Sequence, residues 1–243
     1  MTGLGVLQEI VAHKRGELAA RRARVPLDEV RGRASDAPPA RAFLTAVRRP
    51  PIRLIAEVKG ASPSAGTIRS GFDPAAVARL YADGGASAVS VLTDARFFRG
   101  DDAHLVAVRR AVPVPVLRKD FVLDAYQVHE ARALGADAVL LIVAILEDGA
   151  LRDLARLAED LGMAALVGIN NRNLDTLETS LEVTRRLRPQ VPPGTAVVGE
   201  SGVEERAQVE EMDRLGVDAV LVGTALMRAA DPAAGVRELL GRA

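Results

Sequence analysis

The chain of 243 residues has no cysteine and no tryptophan, and its only histidines are His13, His104 and His129. The lack of cysteine excludes disulfides, thiolate metal ligands and a cysteine nucleophile, and the three histidines do not have the spacing of metal ligands. We therefore expect no bound metal ion.

The sequence also lacks net charge and long apolar runs. Lysine and arginine total 32, as do aspartate and glutamate, so no overall positive field is available to hold a nucleic acid. The N-terminal stretch VLQEIVAHKRGELAARRARV alternates apolar and charged residues, unlike a signal peptide, and no stretch of about 20 residues is continuously apolar. We expect a cytoplasmic protein with neither nucleic acid nor membrane as a partner, and any phosphate must be bound by local groups.

The composition, with 49% hydrophobic and 26% charged residues, is that of a globular protein with one large core. Residues 6–24 have apolar positions at helical spacing, which predicts an amphipathic helix that covers another surface. A second helix is predicted near Phe43 to Val47, and it ends before Pro50-Pro51. We predict an N-terminal helical extension over residues 1–50 and a barrel over residues 51–243, together forming a single domain.

From residue 53 onward, short apolar runs alternate with amphipathic segments. Strands that are apolar along their length and separated by helices predict a parallel sheet that is buried on both faces. The fold class predicted is α/β, a TIM-type (β/α) barrel. The seven runs expected to form strands are RLIAEVK, ASAVSVLT, VPVPVLRKD, ADAVLLIV, MAALVGIN, TAVVGES and DAVLVGT.

A repeated junction indicates how many βα units the barrel contains. A glycine able to cap a helix precedes a strand at Gly85, Gly135 and Gly216, which are 50 and 81 residues apart. The first interval encloses two βα units of about 25 residues. The second interval is then long enough for about three units, where an eight-unit barrel requires four. We therefore predict seven recognisable strands instead of eight, which requires an altered shear and radius or leaves strand edges unpaired.

Polar residues close most of these strands, at the end where barrel enzymes carry their working side chains. Glu57 and Lys59 are two positions apart and so point to the same side of the sheet. Six of the seven predicted strands end in a polar group or a glycine that can face a common opening, an arrangement that favours a polar ligand. On five of these strands the residues are Glu57 with Lys59, Arg118-Lys119-Asp120, Asn170 with Arg172, Glu200-Ser201-Gly202 and Gly223-Thr224.

Two glycine turns on the last two strands, Ser201-Gly202 and Gly223-Thr224, are typical of a phosphate site built from backbone N–H groups. They are also compatible with ordinary tight βα turns. The segment Ser62-Pro63-Ser64 after the first strand fits equally well a plain loop or a segment that closes over a substrate.

These strand ends resemble the indole-3-glycerol-phosphate synthase family of tryptophan biosynthesis. The resemblance covers nearly the whole chain, including APPARAF in the N-terminal extension. It is carried, in order, by LIAEVKGASPSAG, SVLTDARFFRG, VLRKDFVLDAYQV, LLIVAIL, GINNRNLDTLE, VGESGV and VGTALMR. The resemblance implies a carboxy-lyase that needs no cofactor. Its phosphorylated small-molecule substrate, 1-(2-carboxyphenylamino)-1-deoxyribulose 5-phosphate, cyclises, loses carbon dioxide and then loses water.

The resemblance also implies roles for individual residues. Lys119 would be the general acid, Lys59 would assist it and orient charge, and Glu57 would position the lysines and the substrate. We expect the neighbouring cation and partial burial to lower the pKa of Lys119. Asn170 would hold the substrate, and Glu200 and Ser201 would line the floor of the site. Phosphate would be bound by Gly202, Gly223 and Thr224, with Ser62 nearby. The residues that would contact the rest of the substrate or frame the pocket are Ser90, Phe98, Phe121 and Arg172.

The chain departs from the family pattern after Val167. There the family continues into a glutamate, a helix and a further strand, whereas this chain passes directly to Gly168. The family's general-base glutamate lies in the missing stretch, so impaired activity is expected unless Glu57 or Glu200 substitutes. Two other interpretations stay open, a phosphosugar-binding barrel without catalysis and a phosphosugar isomerase barrel. We expect a monomer or a weak homo-oligomer.

Overall fold

The structure is a computed structural model that describes residues 5–48, 50–62, 66–69, 71–173, 176, 178–191 and 196–242. Pro63 and Ser64, for which a loop or a closing segment was predicted, lie outside the described residues, as do parts of the ASPSAG and NLDTLE motifs.

The described residues form strands, helices and two short 3-10 helices, at Val143–Ile145 and Arg188–Gln190. The strands are β1 (Arg53–Val58), β2 (Ala61–Ser62), β3 (Gly66–Thr67), β4 (Ala88–Leu92), β5 (Val116–Lys119), β6 (Ala138–Leu140), β7 (Ala164–Leu166), β8 (Gly168–Asn170), β9 (Val198–Glu200) and β10 (Ala219–Val222). The helices are α1 (Val6–Arg24), α2 (Leu27–Asp36), α3 (Phe43–Val47), α4 (Pro74–Asp83), α5 (Ala95–Phe98), α6 (Asp102–Ala111), α7 (Ala125–Ala133), α8 (Asp148–Asp160), α9 (Glu182–Leu187), α10 (Arg206–Arg214), α11 (Thr224–Arg228) and α12 (Pro232–Leu239).

The main sheet contains eight parallel strands in the order β7-β6-β5-β4-β1-β10-β9-β8. Helices follow most of these strands along the chain, so the predicted TIM-type (β/α) barrel is confirmed. The segment MAALVGIN, predicted as one strand, forms both β7 and β8, with Val167 alone between them. Seven predicted segments therefore supply eight strands.

The run of residues 164–170, which we call the joined strand, connects the two ends of the sheet. Its first half pairs with β6, and its second half pairs with β9. In β1, by contrast, Ile55 and Ala56 pair with neighbours on both sides. No described residue of the joined strand has a ladder partner on both sides, because residues 164–166 pair only with β6 and residues 168–170 pair only with β9.

The register explains this change of partner. Extending the register of each ladder around the sheet from Asn170 leads to residue 162, eight residues earlier in the chain. This offset equals the shear of a standard eight-stranded barrel, so the expected change of shear is not observed. The other expected consequence, unpaired strand edges, is observed: among the described strands, β7 pairs only with β6 and β8 only with β9.

Alternation along the strands separates two apolar layers. Side chains such as Ile55, Leu117 and Leu221 fill the inside of the barrel, where Phe43 and Val47 of α3 also pack. Residues such as Val89 and Val139 face outward into the layer beneath the helices. Because Glu57 and Lys119 follow Ile55 and Leu117 by two positions, they continue the inner face to the C-terminal end of the barrel.

Helices α1–α3 all precede β1, and α2 packs mainly against α7. The division into an extension over residues 1–50 and a barrel stays a prediction. Within the described ranges, no helix is both long and apolar enough to span a bilayer. The cytoplasmic location goes beyond that finding and also stays a prediction.

Candidate active site

At the C-terminal end of the barrel, one carboxylate joins two lysines. The Oε1 atom of Glu57 lies 2.7 Å from the Nζ of Lys59, and its Oε2 atom lies 3.2 Å from the Nζ of Lys119. The Glu57 side chain is 2% exposed, whereas both lysines keep some contact with solvent. The two ammonium groups, predicted from separate strands, therefore meet at one buried anion.

A second carboxylate approaches Lys119 from the opposite side of the barrel. The Oε2 atom of Glu200 on β9 lies 3.5 Å from the Lys119 Nζ, and the Glu200 side chain is buried. Its other oxygen, Oε1, occupies the space that a side chain at residue 168 would fill. A Cβ atom added to Gly168 would lie 2.1 Å from it. Glu200 therefore leans over the joined strand toward Lys119.

The charges set the pKa values of these groups. Burial alone would raise the pKa of Glu57, but Lys119 and Lys59 outweigh burial and lower this pKa to about 2. Burial alone would lower the pKa of Lys119, but the negative charges of Glu57 and Glu200 raise it above its ordinary value. The expectation of a lowered Lys119 pKa was therefore wrong, because the two carboxylates outweigh the effect of burial. Burial raises the pKa of Glu200, and the charge of Glu57 adds to this effect.

Both glycines predicted to bind phosphate have a structural reason to be glycine. A Cβ atom on Gly223 would lie 2.4 Å from the Glu57 Oε1 atom, so the backbone approaches the charged cluster closely. Gly202 and the preceding Ser201 both have positive φ angles, 77° and 63°, which form the sharp turn after β9. Thr224 is the first residue of α11, directly after Gly223.

Gly202 also lines an open pocket of about 250 Å³, together with Arg172, Thr179, Leu181, Glu204 and Gln208. The backbone N–H of Arg172 donates to the Asn170 Oδ1 atom at 3.0 Å, which fixes the turn after β8. Asn171 joins this turn to the next one, since its Nδ2 donates to the Ser201 carbonyl oxygen. The pocket is thus lined by Arg172 and by the glycine turn.

The remaining predicted site residues lie on neighbouring elements. Ser90 on β4 is paired in register with Glu57, and its buried Oγ atom has no hydrogen-bond partner among the described residues. The rings of Phe98 and Phe121 have centroids 6.0 Å apart, and Ser62 is buried in β2. The roles of Phe98, Ser62 and Thr224 stay predictions.

Sequence reasoning missed the ion pairs behind Lys119. The Nζ of Lys14 on α1 is buried and lies 3.0 Å from both Asp94 and Asp120 and 2.9 Å from Glu17. Asp120 directly follows Lys119 and also accepts a hydrogen bond from Thr93 at 2.6 Å. Lys14 falls within a helix that the sequence indicates to be amphipathic, and only its three-dimensional neighbours show that it is buried.

Charged and polar residues from several strand ends meet at one opening of the (β/α) barrel, which is the arrangement found in barrel enzymes. The lysines and glycine turns at this opening match an anionic ligand best. The family model of indole-3-glycerol phosphate synthase matches residues 7–167 and 164–239. The chain belongs to the indole-3-glycerol phosphate synthase family.

Two relatives carry that enzyme name. The chain is 48% identical to indole-3-glycerol phosphate synthase of Roseiflexus castenholzii over 265 positions, covering 98% of both chains. It is 45% identical to the Acidithiobacillus ferrooxidans protein over 257 positions, covering 96% of this chain and 98% of the relative. The first alignment has 265 positions, and 98% of this chain is about 238 residues. About 27 positions of the alignment therefore have no counterpart in this chain. The family match divides at residues 164–167, where the sequence predicts a lost βα unit.

Solved structures share the fold at lower identity. A mutant tryptophan synthase alpha-subunit from Pyrococcus furiosus aligns with a TM-score of 0.54 and 18% identity, covering 78% of this chain and 98% of that chain. A 3-hexulose-6-phosphate synthase aligns with a TM-score of 0.57 and 16% identity, covering 79% of this chain and 99% of that chain. These similarities support the barrel fold.

Proposed function

We propose that this chain is a carboxy-lyase of tryptophan biosynthesis that forms indole-3-glycerol phosphate from 1-(2-carboxyphenylamino)-1-deoxyribulose 5-phosphate without a cofactor. The observation that carries the proposal is the Glu57 carboxylate held between Lys59 and Lys119, in a chain of the synthase family. The reaction needs a proton donor at the substrate carbonyl and a local cationic environment for its anionic groups, and the two lysines supply both.

The raised pKa of Lys119 keeps its ammonium group protonated before the substrate binds. In the proposed reaction Lys119 gives a proton to the substrate carbonyl while the aromatic ring attacks the carbonyl carbon. A substrate that separates Lys119 from Glu57 and Glu200 removes the charges that raise this pKa, so proton donation becomes easier in the complex. Lys59 stays beside Glu57 and orients the anionic parts of the substrate.

The other site residues complete the proposed site. Arg172 and Gly202 line the same pocket, which supports an anionic ligand there, and Gly223 brings backbone close to Lys59. The proposed phosphate-binding residues are Gly202, Gly223 and Thr224, with Ser62 nearby. The proposed residues that hold or frame the rest of the substrate are Asn170, Glu200, Ser201, Ser90, Phe98, Phe121 and Arg172.

The direct test is to incubate the chain with the carboxyphenylamino substrate and follow indole fluorescence. We expect turnover, with a decrease of about 10²- to 10⁴-fold in Lys119→Ala, since general acid catalysis is typically worth that much. The matched control is Arg79→Ala on α4, which removes an exposed cation away from the barrel opening and should leave turnover unchanged. Turnover of the native chain no higher than that of Lys119→Ala would reject the proposal.

The joined strand favours a second candidate, a barrel that binds the phosphorylated product without catalysing its formation. The altered pairing of residues 164–170 changes the wall that carries Asn170, while the Lys59–Glu57–Lys119 group stays assembled. Calorimetry with indole-3-glycerol phosphate separates the two functions. Binding without turnover in the fluorescence assay would support the second candidate.

A further inference from the structure

The two carboxylates that contact Lys119 are in different electrostatic situations. Glu57 has a cation on each oxygen, at 2.7 Å and 3.2 Å. Among the described residues Glu200 has one cation, at 3.5 Å on Oε2, and its Oε1 atom faces the bare backbone of Gly168. Glu200 is the better proton acceptor, because protonation of Glu200 weakens one ion pair whereas protonation of Glu57 would weaken two.

The joined strand produces this arrangement. Gly168 directly follows Val167, at the point where the pairing of the strand changes from β6 to β9. Because residue 168 has no side chain, the Glu200 carboxylate can extend into the barrel and remain within reach of Lys119. The Glu200 carboxylate therefore lies between the joined strand and Lys119 of β5.

We propose that Glu200 is the proton acceptor in the dehydration step that ends the reaction. This inference rests on the proposed function. Lys119 and Glu200 act on neighbouring atoms, the first as donor to the departing hydroxyl and the second as acceptor from the adjacent carbon.

After ring closure and loss of carbon dioxide, the intermediate carries a hydroxyl on C2 and hydrogens on C1 of the former sugar. The C1–H bond breaks, its proton goes to the Glu200 carboxylate, and its electron pair forms the C1–C2 double bond of the indole. The C2–O bond breaks at the same time, and the oxygen takes a proton from Lys119 and leaves as water. Glu200 then returns its proton to the neutral Lys119 amine across the contact of 3.5 Å. The earlier ring closure consumes one proton from solvent.

The surrounding charges agree with this role. Among the described residues, the charged groups that face Glu200 are Lys119 on β5 and the Glu57 anion on β1, which is itself paired with Lys59. On β8 the Gly168 backbone faces its Oε1 atom, and the uncharged Asn170 is paired with it in register. Burial together with Glu57 raises the pKa of Glu200, whereas Glu57 keeps a pKa of about 2 and stays ionised. A base works best when its pKa lies near the working pH, so Glu200 meets this requirement better than Glu57.

The test measures carbon dioxide release and indole fluorescence separately in the same reactions. In Glu200→Gln we expect indole formation to fall by about 10²- to 10⁴-fold while carbon dioxide release changes by less than about tenfold, so that the decarboxylated intermediate accumulates. Glu200→Asp keeps a carboxylate and should restore part of the indole rate. Glu210→Gln, an exposed carboxylate on α10, is the matched control and should change neither rate.

Gly168→Ala tests the geometry with the carboxylate still present. Its Cβ atom would lie 2.1 Å from the Glu200 Oε1 atom, so the carboxylate must move. A displacement of about 1 Å typically costs about 10²-fold in rate, and we expect indole formation to fall to that extent more than carbon dioxide release does. Substrate dideuterated at C1 should then show a primary isotope effect on indole formation in both Glu200→Asp and Gly168→Ala.

The outcomes separate this inference from the proposed function. If the native chain turns over but Glu200→Gln loses both products equally, or loses neither, Glu200 is not the acceptor and the proposed function stands. If the native chain gives neither carbon dioxide nor indole, the proposed function fails, and this inference fails with it.

Discussion

The barrel has two walls that differ in how their strands are paired. Strands β9, β10, β1, β4, β5 and β6, which we call the regular wall, pair with neighbours on both sides over nearly the same residues. The joined strand instead pairs with β6 through its first half and with β9 through its second half. The regular wall carries Glu57, Lys59 and Lys119. The comparison shows that one βα unit can be absent while the cationic half of the site stays assembled.

The walls also differ in how the helices cover them. Val139 on β6 faces outward and is completely buried beneath the helix layer. Val167 in the joined strand lies two residues before the buried, outward-facing Ile169, yet it is 41% exposed, and Val143 after β6 is 52% exposed. The described helices thus leave a gap in their layer beside the joined strand. An apolar side chain contributes less to stability there than on the regular wall.

Inserting one alanine after Val167 should have the largest effect. In a strand, a shift of one residue moves every following side chain to the opposite face. Either Leu166 or the pair Gly168 and Asn170 would then leave the inside of the barrel. Loss of one buried leucine lowers the free energy of unfolding by roughly 2–3 kcal/mol, and displaced site residues add to this. We therefore expect the free energy of unfolding to fall by more than about 3 kcal/mol and turnover to be lost. Urea unfolding and the indole assay measure both.

The matched control inserts one alanine after Pro113, an exposed residue in the turn between α6 and β5 on the regular wall. A surface loop tolerates one added residue at a cost below about 1 kcal/mol. An equal loss of stability in both insertions would show that the joined strand is no more constrained than an ordinary loop.

Replacing Glu57 with glutamine should have the next largest effect, because it removes the anion that holds the two lysines of the regular wall. The fall in its pKa from 4.5 to about 2 corresponds to about 3 kcal/mol of stability at pH 7. Since the folded pKa lies below the unfolded value, this stability is fully present above pH 4.5 and is lost as the pH falls toward 2. The raised pKa of Lys119 reflects the same interaction and adds no second contribution.

Urea unfolding of the native chain and Glu57→Gln at pH 7 and at pH 3 measures this difference. We expect the gap between the two proteins to shrink as the pH falls. Glu182→Gln on α9, an exposed carboxylate paired with Arg185, serves as control and should lower the free energy of unfolding by less than about 1 kcal/mol. A gap for Glu57→Gln that is independent of pH would contradict the assigned ion pairs.

The regular wall could be predicted from sequence more completely than the joined strand could. The two-residue spacing of Glu57 and Lys59 places both at one end of β1, and the position of Lys119 at the end of a later apolar run brings it to the same opening. Apolar runs do not encode ladder register, so the sequence could not show that residues 164–166 and 168–170 pair with different neighbours. It also could not show that Glu200 reaches Lys119, since that depends on the empty side-chain position at Gly168.

A pair of valine truncations gives the smallest effects and tests the difference in helix cover directly. Val139→Ala removes two methyl groups from a completely buried position and should cost about 2 kcal/mol, because the closely packed outer layer cannot refill the space. Val167→Ala removes the same atoms from a partly exposed position and should cost less than about 0.5 kcal/mol. Urea unfolding of both variants under one set of conditions measures the difference. If both variants lost the same free energy of unfolding, Val167 would be buried in solution. The gap in the helix layer beside the joined strand would then not exist.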